Sequence, residues 1–455
     1  MPLKFLLKNS IKAELILSLA ISMLIVYVFF ITLFSVNDIF TFSTSNLFIY
    51  LIPLLGLFIF GSFCIIKKKY FPNYITRILN ILSILLFVTI VSFSTISDLE
   101  DPKIFTDKNF EILSLPNMEL EFYPDIYYII LDEYAGFDSL YHDFDFDNSS
   151  FKDELQKRGF LIPNTNYSNY TYTLISVPSS LNMQYLIHLD EQEKSKNIGV
   201  NELNKISKNN LVMKNLDSKN YHIVSFYAGS MAPGSIKYVD EKLCEDEHYF
   251  NFFKSLIKRL VPVSFYQSSE SNNRSVEILC TLSQISSVTE RISKPIFVFA
   301  HIIMPHAPYI FDQNGDLITY DQNLDLFSKK KLYIGQLEFT NNQIIQIIDS
   351  ILEKSKNPPV IIIHSDHGER TGIDFDNPTD NMIHQGFNNL NAIYLPNKNL
   401  DYLNGSLTQV NTFRIVFNEY FNSDFELLPD KQYWLKFNKN SREFYDLEDV
   451  TDILH

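Results

Sequence analysis

Pro359-Val-Ile-Ile-Ile-His364-Ser365-Asp366-His367-Gly368-Glu369-Arg370 runs four β-branched apolar residues into a cluster of imidazoles and acids. A short apolar run of this kind, with no polar alternation, predicts a strand buried on both faces. Working outward, the same pattern recurs at Asp125–Leu131, Tyr221–Tyr227, Pro295–His301 and Asn391–Leu395. Helical spacing lies between these runs. Phe151–Arg158 reads as a short amphipathic helix, with Ser149 or Ser150 as its cap and Gly159 as its stop. Leu332–Lys354 has apolar residues at helical intervals. Strands alternating with helices predict an α/β body with a mostly parallel sheet covered on both faces. From about residue 402 the chain reads as a C-terminal extension with one helix near 408–420 and a small β element.

In such sheets, ligands bind beyond the carboxyl ends of the strands. The first strand ends in Asp132-Glu133, the third runs through His301 to His306, and the fourth opens into His364, Asp366, His367 and Glu369. His384 follows in a loop. Each of these alone has an ordinary structural reading, such as a helix-start acid or a satisfied imidazole. Together, three separate segments deliver carboxylates and imidazoles to one edge, a donor set suited to zinc or manganese. The segment Asn169-Tyr-Thr171-Tyr-Thr173-Leu-Ile-Ser176-Val-Pro178 reads as a loop entering a helix, with Pro178 in the first turn. A hydroxyl at a helix entrance sits in positive potential, which favours an alkoxide. Spacing alone does not choose among Thr171, Thr173 and Ser176.

The 455 residues carry a net charge of −15, which argues against a nucleic-acid binder. The 13 glycines form neither a G-x-G-x-x-G nor a G-x-x-x-x-G-K pattern, so no dinucleotide or phosphate loop is present. Charge is unevenly spread. Residues 1–97 hold seven basic and two acidic residues, a net +5 that leaves −20 for the rest. Within this head, Leu15–Val36, Leu47–Ile66 and Ile78–Ser97 are uncharged runs of 22, 20 and 20 residues. About 20 apolar residues cross a bilayer, so three transmembrane helices are expected in residues 1–97. Lys4, Lys8 and Lys12 precede the first run, and Lys67–Lys69 and Arg77 separate the second from the third. The positive-inside rule then puts both basic segments in the cytoplasm and residues 98–455 outside it. There Cys244 and Cys280 meet conditions in which disulfides persist, if the fold brings them together. Cys64 falls inside the second run.

Thr173-Leu-Ile-Ser176-Val-Pro178, His301 to Pro308, Ser365-Asp-His-Gly-Glu369 and His384-Gln-Gly occur in the order found in the sulfatase-like branch of the alkaline phosphatase superfamily. The pattern resembles the membrane-anchored lipid A phosphoethanolamine transferases, with lipoteichoic acid synthase as a cousin. The resemblance implies Thr173 as nucleophile and metal ligand. It also implies Glu133, Asp366 and His367 as further metal ligands, and His306 and His384 facing the phosphate or a second ion. One or two divalent ions are implied, zinc first, with manganese or magnesium as the other candidates. The activity implied is transfer of a phosphoethanolamine or phosphoglycerol type group, through a phospho-threonine, from a phospholipid donor to an envelope glycan or lipid. A metal-dependent hydrolase of phosphate or sulfate esters is the alternative, and a non-catalytic membrane-tethered binding protein the third reading. The chain departs from the transferases in having three apolar runs rather than five and no Cys near Thr173. The C-x-P-x-R motif of formylglycine sulfatases is absent.

Overall fold

The computed structural model describes residues 11–23, 44–68, six positions between 74 and 84, 113–117, 123–163, 165–186, 198–226, 237–244, 267–321, 323–398 and 407–455. The chain forms two compact units, Met1–Asp101 and Pro102–His455.

In the first unit, residues 11–23 are helical and a second helix spans Thr44–Lys67, 24 residues long, with side chains described from Gly56 onward. Residues 24–36 and 85–97, the second halves of the first and third apolar runs, lie outside the described residues. Leu15, Ile16 and Ile65 form a small buried cluster, and Lys12 Nζ donates to the Ile66 carbonyl at 2.6 Å. The basic ends of the first two runs are thus side by side. Among the described residues, no helix is long and apolar enough to cross a membrane. The expectation of three spans rests on the sequence.

The second unit is built on a six-stranded sheet. Its elements in chain order are β1 (Ile126–Leu131), α1 (Phe137–Phe144), α2 (Ser149–Lys157), α3 (Thr173–Asn182), β2 (Ile198–Gly199), α4 (Val200–Lys208), α5 (Leu211–Ser218), β3 (His222–Phe226), β4 (Glu241–Leu243), α6 (Gln267–Gln284), β5 (Ile296–Ile302), α7 (Leu326–Lys354), β6 (Val360–His364), α8 (Asp380–Phe387), β7 (Asn391–Tyr394), α9 (Gln409–Phe421), β8 (Tyr433–Asn438) and β9 (Glu443–Asp449). The order is β4-β3-β5-β1-β6-β7, parallel throughout except that β7 runs antiparallel to β6. The parallel α/β sheet read from the sequence is therefore present.

Alternation along β1 divides the core. Ile126, Tyr128 and Ile130 face α3, α4, α5 and α9, packing with Ile175, Leu181, Leu203, Leu216 and Phe413. Tyr127, Ile129 and Leu131 face the other side, with Phe151, Leu155, Ile278, Leu337 and Ile348. Two helix starts differ from the sequence reading. α7 begins at Leu326, well before Leu332, because Asp325 accepts from Ser328 N at 3.0 Å and caps it. α2 begins at Ser149, so the cap position falls on Asn148 rather than on Ser149 or Ser150. Asn148 does not cap; its amide instead donates to Tyr134 Oη at 2.8 Å. Gly159, at φ +86°, does end that helix.

Cys244 and Cys280 form a disulfide across 36 residues, linking the edge strand β4 to α6. The C-terminal extension is not an appendage. β8 and β9 pair antiparallel and take in β2 as a third strand. Phe437 and Phe444 of this sheet pack on Tyr172, the residue preceding α3.

Candidate active site

β1 pairs in register with β5 and β6, so that Ile130 stands opposite both His301 and His364. Continuing the alternation Ile126, Tyr128, Ile130 puts Asp132, not Glu133, on the face shared with His301 and with α3. One ligand atom each from Asp132, His301 and Asp366 lie within 4.8 Å of one another, and all three side chains are buried. His301 Nε2 is 3.4 Å from Asp132 Oδ2. Asp132 Oδ1, His301 Nε2 and Asp366 Oδ2 have no hydrogen-bond partner. Buried carboxylate oxygens without donors are costly, and these converge on one point. That orphaned oxygen and nitrogen set fits a divalent cation of the zinc or manganese kind.

His367 and Thr173 lie at the edge of this group. His367 Nε2 is 3.2 Å from Asp366 Oδ2 and 3.2 Å from Thr173 Oγ1. His367 Nδ1 lies 2.8 Å from the Gly368 carbonyl. Donation from Nδ1 leaves Nε2 with its lone pair facing the cluster. Burial, and then the Arg370 charge, hold the His367 imidazole below its ordinary value. Thr173 is the first residue of α3, after Tyr172 in an extended conformation, so its hydroxyl sits at a helix N-terminus. Pro178 is inside this helix rather than in its first turn. The helix starts earlier than the proline suggested because Tyr172 is fixed by aromatic packing.

Glu133 lies beside the three-residue group, its backbone N–H donating to Asp366 Oδ1 at 3.2 Å, while its carboxylate is engaged by cationic neighbours. Its φ is +61°, a left-handed conformation that costs a non-glycine residue energy and clusters at functional sites. Its Oε1 accepts from Arg370 Nε at 2.7 Å and its Oε2 lies 3.7 Å from His306 Nε2. Burial would lift the Glu133 carboxyl, but the His306 and Arg370 charges outweigh it and hold the group below its usual range. Asp132 is lowered in the same way, burial being outweighed by His306 and His301. His301 and His306 are raised in turn, as Asp132 and Glu133 overcome their burial. Glu369 is fully buried between Thr371 N and Gln385 Nε2, each at 2.9 Å. Burial, and then the charge of Glu133, push it up to about 7.

His384 is not one of the Asp132–His301–Asp366 group. It sits on α8 with Nδ1 3.1 Å from Tyr167 Oη. Of the residues expected from the sequence, the fold therefore joins Thr173, Asp366 and His367, sets Glu133 and His306 alongside with Arg370, and seats His384 against Tyr167. Asp132 and His301 were within the quoted edge segments but not among the chosen ligands. Period-two counting along β1 separates Asp132 from Glu133, but it selects Asp132 only once the face that carries α3 is known.

α3 is locked to the S-D-H-G-E loop. Ser176 Oγ lies 2.6 Å from the Asp366 carbonyl and 2.7 Å from Gln409 Oε1, and Gln409 Nε2 donates to the Ser365 carbonyl. Gln409 had no signature in the sequence reading, since it lies in the C-terminal extension. Gly368 is fixed by crowding, because a Cβ there would stand 2.1 Å from the Gln385 carbonyl oxygen and 2.8 Å from that of Asn388.

No curated protein matches the chain in sequence. Solved structures similar to it include the C-terminal periplasmic domain of EcEptC from Escherichia coli, at 13% identity and a TM-score of 0.48 over 75% of this chain and 97% of that one. The C-terminal periplasmic domain of phosphoethanolamine transferase EptC from Campylobacter jejuni is similar at 14% identity and 0.45, over 68% and 92%. The soluble domain of lipooligosaccharide phosphoethanolamine transferase A from Neisseria meningitidis is similar at 13% and 0.44, over 67% and 90%. Likeness this distant says nothing of substrate. The sequence itself matches the Sulfatase family over residues 124–415, well over half of its length, from the start of β1 into α9. With the parallel sheet and the edge cluster in place over that same stretch, the chain belongs to the Sulfatase family, in the sulfatase-like branch of the alkaline phosphatase superfamily.

Proposed function

We propose that this enzyme is a membrane-anchored transferase that moves a phosphoryl-linked group, of phosphoethanolamine or phosphoglycerol type, from a phospholipid to an envelope glycan or lipid. The observation that carries the reading is the Thr173 hydroxyl at a helix N-terminus, 3.2 Å from His367 Nε2 and beside the orphaned Asp132–His301–Asp366 group. Asp132, His301, Asp366 and His367 would hold a divalent cation, zinc by donor type. When bound, that ion supplies positive charge that favours the ionised Thr173 hydroxyl and the charge on a phosphate.

Thr173 Oγ forms the bond to phosphorus while the bond from phosphorus to the lipid alcohol breaks, and the threonine proton ends on that alcohol. An acceptor hydroxyl then takes the group and restores Thr173. His306 and Arg370, partly exposed at 29% and 20%, are the cationic side chains at the mouth that bind phosphate oxygens. Glu133 holds Arg370 in place. His384 would bind substrate or a second ion next to Tyr167.

The anchor reading takes support from the three uncharged runs and from Lys12 lying at the end of the second run. Reporter fusions after Ser97 should report the extracytoplasmic side, and fusions near Lys69 the cytoplasm. The chemistry is tested by incubating the enzyme with labelled phospholipid, with and without acceptor. Mass spectrometry should place the adduct on Thr173, accumulating without acceptor and discharging with it. An adduct on Thr171 or Ser176, or Thr173→Ala turning over at the parent rate, refutes the mechanism. Rapid discharge to water without acceptor makes the protein a hydrolase.

A further inference from the structure

Phe327 is the most exposed large apolar side chain among the described residues, at 79%. It is the second residue of α7, whose first turn is capped by Asp325, so the ring projects from a fixed helix start. Leu326 beside it is 48% exposed. Lys329-Lys330-Lys331 follows after Ser328 and is the one run of three consecutive basic residues in 98–455. Lys330 is engaged in the fold: its Nζ donates to the Asp143 carbonyl at 2.6 Å and lies over the Phe144 ring. That contact draws the end of α1 against α7, and Tyr141, one turn before Phe144, is 63% exposed. Exposed aromatic and aliphatic side chains next to lysines, in a body of net −20, form a surface that water does not favour and an anionic lipid interface does.

The patch also borders the site. The Leu326 side chain packs against Gly372, 3.4 Å from where a Cβ would stand, and Gly372 lies two residues beyond Arg370. Tyr309 bridges the same loop, its Oη 3.5 Å from Thr371 Oγ1.

We propose that Tyr141, Leu326 and Phe327, flanked by Lys329 and Lys331, dock the catalytic unit on an anionic phospholipid bilayer, with the His306–Arg370 mouth beside the headgroups. This rests on the membrane-anchor reading above and adds the face by which the catalytic unit meets the lipid. Insertion of the rings by the interfacial depth of about 5–10 Å would remove their apolar surface from water, and Lys329 and Lys331 would meet lipid phosphates.

The full chain is reconstituted in phosphatidylcholine–phosphatidylglycerol vesicles containing bromine-labelled acyl chains. Trp434, the single native tryptophan, is 1% exposed, so Phe327→Trp adds one interpretable reporter. Emission from the indole introduced by Phe327→Trp should shift to the blue and be quenched by the brominated lipid, whereas that from Leu427→Trp, on a different surface loop, should not be quenched. Lys329→Gln and Lys331→Gln, each removing one positive charge, should each weaken the docking equilibrium roughly fivefold. An unquenched, water-like emission from the Phe327→Trp variant, in protein that still resists alkaline extraction, overturns the docking face and leaves the anchor standing. Cross-linking of Phe327→Cys between two copies, without lipid quenching, overturns it in favour of self-association. If alkaline wash releases the chain, the anchor reading fails. Docking is then supported by flotation with anionic vesicles at neutral pH and refuted by its absence.

Discussion

Asp132→Asn and Glu133→Gln should have opposite consequences for metal binding, although the residues are neighbours. Asp132 contributes an unpartnered buried oxygen to the Asp132–His301–Asp366 group, whereas both Glu133 oxygens face cationic side chains. Loss of an indirect support to a metal ligand costs about 10–100-fold in affinity. Loss of one of the ligands themselves should reach at least the upper figure, about 2.7 kcal/mol. Binding to the folded state converts this into stability. With zinc at about 100 times the parent dissociation constant, the parent gains about 2.7 kcal/mol. Asp132→Asn, bound about 100-fold more weakly, gains only about 0.4 kcal/mol at that concentration. For a unit of this size the difference is a zinc-induced rise in Tm of about 4 °C against about 0.5 °C. Glu133→Gln should keep most of the parent shift. The assay is thermal unfolding of metal-stripped and zinc-loaded protein, with bound zinc counted by mass spectrometry. A Glu133→Gln protein that loses zinc while Asp132→Asn retains it would refute the placement of Asp132 at the metal and identify Glu133 as the ligand.

Gly368→Ala should destabilise the protein by about 3 kcal/mol or more, measured by denaturant unfolding. Its Cβ would fall about 1.3 Å short of ordinary contact with the Gln385 carbonyl and would force apart the Gly368 N–Gly386 O bond of 2.9 Å. Replacing both Cys244 and Cys280 by Ser should cost about 4 kcal/mol, from the closure of a 36-residue loop, and the parent treated with reductant should lose the same amount. Gln409→Ala should lower activity with Thr173 intact, because it frees both the Ser176 hydroxyl and the Ser365 carbonyl from one another. Gln409→Glu, which sets an acceptor oxygen against the Ser365 carbonyl and buries a charge, should recover none of it, and parent-like activity in either variant would refute the clamp.

What the sequence determined by itself is local. Four β-branched residues before His364 can only be read as a buried strand, because their side chains point to both faces of a pleated backbone and none is polar. The sheet class and the gathering of Asp366 and His367 at one edge followed from such runs and from the rule that sites form at strand ends, whereas Thr173 was singled out by the resemblance of Thr173-Leu-Ile-Ser176-Val-Pro178 to a family motif. The alternation that distinguishes Asp132 from Glu133 was also present in residues 126–132. It could not be used without knowing which face carries α3, and that is a fact of packing. Only the tertiary structure could place Gln409 between Ser176 and Ser365, 233 and 44 residues away, or pair Cys244 with Cys280. It also explains Gly368, whose need for a missing side chain comes from the 385–388 backbone folding across it. Contacts between segments so distant are set by how helices close over a sheet, and no periodicity along the chain records them.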